Sequence, residues 1–174
     1  MNDVIDAGTA LPKPVGFRYG KSAQYKLMKI AESPFPDQMI DTPELAEKFW
    51  RANIATQQWY NTEAECFCVL FLNTRRYVTG WNLVSIGTLD TILVHPREVF
   101  RTAIICGASA IIIAHNHPSG DPQPSEADVK VTRDLIRAGQ IIKIEVVDHV
   151  VIGSPSPARP LGYVSLRELG YFFS

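Results

Sequence analysis

The segment from Glu65 to Leu72 most constrains the fold, because both of its alternating faces are apolar after the leading glutamate. A strand with this pattern is buried on both sides and lies inside a sheet that other elements cover on two faces. Residues 73–76 then form a polar turn into a second strand near residues 77–81, which predicts an antiparallel hairpin. The sequence therefore predicts an α/β (α+β) fold, a mixed β-sheet flanked by helices.

Further elements are predicted from capping, proline and glycine signals and from apolar periodicity. Helices are predicted at residues 42–56, 96–107 and 125–138, the last closed by Gly139. Strands are predicted at residues 109–115 and 143–152, and Ser85 begins a break after the hairpin. Residues 1–23, which contain several glycines and prolines, predict an extended N-terminal arm, and residues 24–174, which begin with a short strand, predict a single domain.

The charge balance and the hydropathy exclude some classes of partner. Seventeen Lys and Arg face 18 Asp and Glu, and a net charge of -1 leaves no positive excess to drive binding to nucleic acid. The longest apolar runs are far shorter than the ~20 residues that span a bilayer, and the N-terminus has no signal-peptide pattern, so we expect a cytoplasmic protein without membrane association. The three cysteines, Cys66, Cys68 and Cys106, lie in apolar segments, which favours buried free thiols.

Two histidines and an aspartate have the spacing of a metal site. His115 and His117 lie at the end of a predicted strand, where residues i and i+2 point to the same side. Asp128 lies in the first turn of the next predicted helix, from which its carboxylate can face the strand end. Two imidazoles and one carboxylate, with a fourth position open, are the donors of a catalytic zinc site. Ser125 followed by Asp128 is also a helix capping box, and both interpretations can hold together.

The segment from His115 to Gly120 reads HNHPSG and, with Ser125 and Asp128, resembles the JAB/JAMM metalloprotease family. Residues 95–98 (HPRE) and 147–153 (VDHVVIG) make the resemblance closest to the RadC-type JAB domain, over roughly residues 65–170. The resemblance implies a JAMM fold related to cytidine deaminases, one Zn²⁺ per chain held by His115, His117 and Asp128, a catalytic glutamate, and Ser125 as a polarising hydroxyl.

The catalytic glutamate is chosen from the acids upstream of the histidines. Glu65 is favoured because it leads a buried strand and stands where the RadC-type branch has E-x-F, here Glu65-Cys66-Phe67. Glu63 stays open as the alternative, although it also fits a solvated strand start. Glu98 is better explained as a first-turn acid that complements a helix dipole.

We therefore expect a zinc-dependent metallopeptidase or isopeptidase-like hydrolase in which Glu65 is the general base and Ser125 helps to stabilise the oxyanion. The expected substrate is a peptide or an isopeptide-linked protein, and the sequence is compatible with a homodimer. The alternatives are a DNA-repair-associated protein or metal-dependent nuclease, and a non-catalytic JAB-fold binding module. A zinc deaminase is set aside because the H-x-E and P-C-x-x-C signature is absent. His149 is left open as a group behind the metal ligands.

Overall fold

The computed structural model describes residues 38–87, 94–157 and 159–172. In this part of the chain the strands are β1 (Glu65–Leu72), β2 (Val78–Gly87), β3 (Ala110–Asn116), β4 (Glu145–Ile152) and β5 (Tyr163–Ser165). They form a five-stranded sheet in the order β2-β1-β3-β4-β5, in which β3 and β4 are parallel and the other neighbours are antiparallel. The prediction of a mixed sheet is confirmed. The predicted arm and the short strand after it lie outside the described residues.

Helices cover both faces of this sheet. They are α1 (Pro43–Phe49), α2 (Pro96–Ile105) and α3 (Glu126–Ile142). On one face, Cys66, Cys68, Leu70 and Leu72 of β1 pack in a hydrophobic cluster that includes side chains of α1. On the other, Phe67, Val69 and Phe71 pack in a cluster with side chains of α2 and α3. The alternation of β1 therefore explains why both of its faces are apolar, as the sequence predicted. Among the described helices, none is both long and apolar enough to cross a membrane.

The first helix begins where the sequence predicts and changes its hydrogen bonding halfway. The Thr42 hydroxyl accepts a hydrogen bond from the Leu45 N–H at 3.3 Å and caps α1. After Phe49 the chain continues as a π-helical turn, Trp50–Ile54. The Asn53 side chain donates to the Phe49 carbonyl at 3.1 Å and so competes for the acceptor that an α-helix would use. A helix therefore begins where the prediction of residues 42–56 placed it, but its second half is π-helical and not α-helical.

The second helix follows the prediction closely. His95 caps α2 by accepting a hydrogen bond from the Arg97 N–H, and Gly107 follows the helix at φ 64°. This cap gives His95 a structural role.

Cys66 and Cys68 are buried as predicted, whereas Cys106 at the end of α2 is exposed and contradicts the prediction.

The third helix is longer than predicted, because Gly139 lies inside it. A Cβ at Gly139 would collide with the carbonyl oxygen of Ile144, so this glycine is required by the close approach of the chain that leads into β4. The helix ends instead at Lys143, which adopts the left-handed conformation at φ 60°. The prediction that Gly139 closes the helix is therefore wrong.

The second strand also continues past its predicted break at Ser85. Ser85, Ile86 and Gly87 pair with Phe67, Cys66 and Glu65 of β1, and a register shift between Phe67 and Cys68 absorbs the irregular residue. Glu65 is therefore held at the paired end of a hairpin.

Candidate metal centre

The two predicted histidine ligands meet at the carboxyl end of β3. His115 is completely buried within the strand, and His117 follows the strand by one residue and is largely buried. Their Nε2 atoms lie 3.0 Å apart. The i, i+2 spacing thus brings both imidazoles to one point, as expected from strand geometry.

Two carboxylates approach the same point from other elements. Asp128, in the first turn of α3, places Oδ1 3.3 Å from His115 Nε2 and Oδ2 3.5 Å from His117 Nε2. Glu65, at the start of β1, places Oε1 3.8 Å from His115 Nε2. One ligand atom from each of these four residues lies within 4.8 Å of the others. The structure therefore brings together the three predicted ligands and the favoured base, whose roles stay predictions.

The other glutamates considered as bases lie elsewhere. Glu63 is exposed in the turn before β1, where its N–H donates to the Asn61 side chain. Glu98 lies on α2, where its carboxylate pairs with Arg97 and Arg101. Neither belongs to the four-residue cluster.

The donor set fits a zinc ion. His117 Nδ1 lies 2.8 Å from the Asp121 carbonyl oxygen, which only accepts, so the proton is on Nδ1 and Nε2 carries a lone pair. Zn–N and Zn–O bonds of about 2.0–2.1 Å in a tetrahedron separate neighbouring ligand atoms by about 3.3 Å. The two Nε2 atoms are 3.0 Å apart, and Asp128 approaches His115 with Oδ1 at 3.3 Å and His117 with Oδ2 at 3.5 Å, so these residues could hold zinc after small side-chain movements.

Burial and charge set the protonation states around this point. Burial lowers the pKa of His115 to about 4, so its imidazole is neutral at pH 7. Burial alone would raise the pKa of Asp128, but the adjacent imidazoles, His117 first, and the hydrogen bonds that Ser125 donates to its carboxylate hold it below its usual range. The pKa of Glu65 is raised by burial first and by the negative charge of Asp128 second. The centre thus combines the neutral imidazole of His115, an ionised aspartate and a glutamate that retains a proton more readily than usual.

Ser125 orients the aspartate. Its hydroxyl accepts a hydrogen bond from the Asp128 N–H at 3.2 Å and donates to Asp128 Oδ2 at 2.6 Å, while its own N–H donates to Oδ2 at 2.7 Å. This is the capping box that the sequence offered as the ordinary explanation. The hydroxyl is exposed at the first turn of α3, and its role toward substrate stays a prediction.

The loop that carries His117 is fastened to the end of β4. The His117 N–H donates to the Ile152 carbonyl and the Ser154 N–H donates to the Gly120 carbonyl, both at 2.8 Å. Gly120 adopts a positive φ of 76°, as expected for a turn glycine, and a Cβ at Gly153 would collide with the Gly120 carbonyl. The loop is therefore held by backbone contacts that need glycine on both sides.

Asn116, between the two histidines, is a positioning residue that the sequence analysis missed. Its Oδ1 accepts a hydrogen bond from the Cys66 N–H at 2.9 Å, and its Nδ2 donates to the Ala64 carbonyl at 3.0 Å. These are the two peptide groups that flank Glu65. The side chain continues the β1–β3 pairing past its last backbone pair, Phe67 and His115, and so fixes the backbone of Glu65. This role can be recognised only once the register of the two strands is known.

A buried chain of hydrogen bonds lies behind His115. His115 Nδ1 is 2.7 Å from His149 Nε2, His149 Nδ1 is 2.6 Å from Thr132 Oγ1, and Thr132 Oγ1 is 2.6 Å from the Asp128 carbonyl oxygen. The three side chains are fully buried, and the Phe67 ring stacks on His115. His149 thus lies behind the predicted ligand His115, which is the position that the sequence analysis left open for it. Thr132 was not predicted, because a threonine inside a helix carries no signal.

Comparison with known proteins gives concordant matches. The family model described as RadC-like JAB domain matches residues 40–171. A UPF0758 protein of Caldanaerobacter subterraneus subsp. tengcongensis is 45% identical over 120 residues, which cover 69% of this chain and 49% of that protein. A UPF0758 protein of Desulfitobacterium hafniense is 40% identical over 141 residues, which cover 81% and 57%. The chain spans about half the length of these curated relatives.

Proposed function

The chain belongs to the RadC-like JAB domain family, and from this premise we propose that it is a zinc-dependent hydrolase that cleaves an amide bond in a peptide or an isopeptide-linked protein. The observation that carries the proposal is the convergence of His115, His117, Asp128 and Glu65 within 4.8 Å. Two imidazoles and one carboxylate form an open donor set that suits catalytic zinc, whereas structural zinc is usually closed by four ligands that are mostly thiolates.

The three proposed ligands are prepared for binding by the protein. The proton on His117 Nδ1 is held by the Asp121 carbonyl, and Asp128 stays ionised because Ser125 donates to its Oδ2. Zinc, when bound, supplies Lewis acidity that polarises a carbonyl and makes water a stronger acid.

Glu65 is the proposed general base. Its carboxylate lies beside the ligands, 3.8 Å from His115 Nε2, and its raised pKa brings it closer to the range in which a carboxyl group exchanges protons at neutral pH. It would take a proton from the attacking water and return it to the leaving amine. Ser125, which is exposed at the N-terminus of α3 and contacts Asp128, is the proposed donor to the oxyanion. Its hydroxyl would turn from Asp128 to the substrate.

The test begins with elemental analysis of the purified chain. We expect about one zinc ion per chain, and loss of that ion in the triple variant His115→Ala, His117→Ala, Asp128→Ala. Glu98→Gln is the control, because it removes an acid outside the cluster and should retain zinc. Hydrolysis is then measured on a fluorogenic peptide and on an isopeptide-linked conjugate. Stoichiometric zinc in the triple variant would contradict the site, and absence of amide cleavage by the zinc-loaded chain would contradict the reaction.

Duplex DNA serves as the counter-substrate. A net charge of -1 gives no basis for sequence-independent binding, so the isolated chain should bind DNA weakly and lose that binding with added salt. Tight binding at ~150 mM salt, or cleavage of plasmid DNA by the zinc-loaded chain, would favour a nuclease over an amide hydrolase.

A further inference from the structure

We propose that Thr132 and His149 form a positioning relay that keeps the proton of His115 on Nδ1 and thereby leaves His115 Nε2 free to bind a metal ion. The inference deepens the proposed function and depends on it for the presence of the ion. The relay is defined by the contacts Asp128 carbonyl, Thr132 Oγ1, His149 and His115 Nδ1, in that order.

The direction of the relay is set at its Asp128 end. The Asp128 carbonyl oxygen lies 2.6 Å from Thr132 Oγ1, and a carbonyl oxygen has no proton to donate. Two oxygens at this separation are in a favourable contact only if the hydroxyl proton lies between them. The single proton of Thr132 is therefore directed to the carbonyl, and its oxygen is left as an acceptor.

The same reasoning then assigns the protons of both histidines. Thr132 Oγ1 and His149 Nδ1 are 2.6 Å apart, and because the threonine oxygen can only accept here, His149 Nδ1 is the donor. The His149 ring is fully buried between Thr132 and His115, neither of which carries a negative charge that would stabilise an imidazolium, so the ring is neutral and has no second proton for Nε2. In the 2.7 Å hydrogen bond between the two rings, His115 Nδ1 therefore donates to His149 Nε2. His115 Nε2 is then left with a lone pair.

The opposite direction shows what the relay prevents. If every bond were reversed, His115 would carry its proton on Nε2 and donate it to His117 Nε2, 3.0 Å away. That proton would occupy the position of the ion, while Thr132 Oγ1 and the Asp128 carbonyl would face each other without a proton. Because all three relay side chains are fully buried, water does not compensate this loss, and the carbonyl selects the direction that allows binding.

The first measurement is made on the zinc-free protein. Nitrogen-15 NMR of the histidine side chains at about pH 8, where histidine is ordinarily neutral, distinguishes the two tautomers. We expect His115 and His149 to hold their protons on Nδ1, with the His115 signals identified by their loss in His115→Gln. A zinc-free protein in which His115 carries its proton on Nε2 would overturn the proposal.

The second measurement uses two substitutions at Thr132. Thr132→Val keeps the shape of the side chain and removes the acceptor, so His149 is free to move its proton to Nε2. We expect a mixture of His115 tautomers and a zinc affinity lower by about 10–100-fold, the usual effect of losing a group behind a metal ligand. Thr132→Ser restores the hydroxyl and should recover most of the affinity. An unchanged zinc affinity in Thr132→Val would overturn the proposal.

Ser165→Ala is the matched control. Ser165 is buried and hydrogen-bonds to Asp148, which precedes His149 on β4 but faces the other side of the sheet. This variant loses buried hydrogen bonds at the same strand and should leave the tautomers and the zinc affinity unchanged. A wild-type chain that binds no zinc would refute the proposed function, whereas the tautomer of His115 would still decide the relay. A chain that binds zinc but cleaves no amide would refute only the proposed reaction.

Discussion

Asp148 and His149 are neighbours on β4, are both buried, and belong to polar networks of opposite kinds. Asp148 accepts hydrogen bonds from the Ser165 hydroxyl, the Arg167 N–H and the His149 N–H, so its carboxylate oxygens meet donors. We call this the closed network. His149, on the other face, leads through His115 to the four-residue cluster, which we call the open network.

The difference between the two networks separates a structural role from a binding role. In the closed network every hydrogen bond runs from a protein donor to one carboxylate, so the group is stable as it stands. In the open network, lone pairs and carboxylate oxygens face one another across 3.0 to 3.8 Å, and such a group of acceptors needs a cation or a proton among them. The orientation of the acceptors, more than burial, therefore marks the centre as a candidate binding site.

The largest expected effect comes from Glu65 in the open network. Glu65→Gln removes the proton acceptor and leaves the three proposed ligands in place. Turnover of a peptide or isopeptide substrate should fall by roughly two to four orders of magnitude. Zinc content and thermal unfolding should stay close to those of the wild type.

Glu63→Gln is the matched control for that substitution, because Glu63 is exposed and two residues away. It should retain near-normal turnover. If Glu63→Gln abolished hydrolysis and Glu65→Gln did not, the base would have to be reassigned to Glu63 and the strand geometry would not explain catalysis.

The next effect is the pH dependence of the stability of the zinc-free protein. The pKa of His115 is about 4 in the folded chain and about 6.5 when unfolded, so the unfolded chain takes up this proton first as the pH falls. The neutral, buried His115 therefore contributes on the order of 3 kcal/mol to the free energy of unfolding. This contribution is fully present above pH 6.5 and is lost as the pH falls toward 4. The lowered pKa of His149 acts in the same direction, whereas the raised pKa values of Glu65 and Asp148 act in the opposite direction.

Denaturant unfolding of the zinc-free chain between pH 8 and pH 5 measures this slope. Ser85→Ala, whose lost hydroxyl has no hydrogen-bond partner among the described residues, should show the same slope. A wild-type stability that does not rise between pH 5 and pH 8 would contradict the prediction.

A smaller effect is expected from the closed network itself. Ser165→Ala deprives the Asp148 carboxylate of a buried donor and should lower the free energy of unfolding by about 1–3 kcal/mol, without loss of zinc. Ser85→Ala is the control, since the Ser85 hydroxyl is buried without a hydrogen-bond partner among the described residues. Removing it should leave stability unchanged or slightly raised. Loss of zinc in Ser165→Ala would show that the two networks are not separate.

The smallest effect is expected at Asn116. Asn116→Ala removes the bonds to the peptides on either side of Glu65, so the glutamate becomes less well positioned. We expect kcat to fall by roughly tenfold, less than the 10²-fold cost of a full 1 Å displacement, with zinc content unchanged. A loss of zinc equal to that of Asp128→Asn would show that Asn116 supports the ligands and not Glu65.

Much of the fold follows from local patterns in the sequence. The bounds of β1 match the prediction because burial on both faces leaves a continuous apolar run, which ends at a polar turn. Gly139 was misjudged because a glycine that ends a helix and a glycine that makes room for a carbonyl look alike in sequence. Ser85 was misjudged because a bulge can absorb an irregular residue without ending a strand.

The residues of the candidate site also divide into those that local sequence patterns reveal and those that only the tertiary structure reveals. His115, His117 and Asp128 could be identified because strand alternation and the first helical turn fix where their side chains point. Thr132 and His149 lie 17 residues apart, and their contact depends on how α3 packs on β4. A threonine in a helix and a histidine in a strand each have ordinary explanations, so their connection is visible only in the tertiary structure.

Asp128 and Thr132 lie one turn apart on α3, so the start of this helix contacts the metal centre and its relay at two points. The Asp128 side chain faces the histidines, and its carbonyl holds the far end of the relay. Local opening of these turns would therefore release a bound ion, and the free energy of that opening should rise with RT ln(1 + [Zn²⁺]/Kd). Amide hydrogen exchange over the first two turns of α3 should slow as zinc is added, while its last turn near Ile141 should change little, so the protection of one helix end reports the occupancy of the centre.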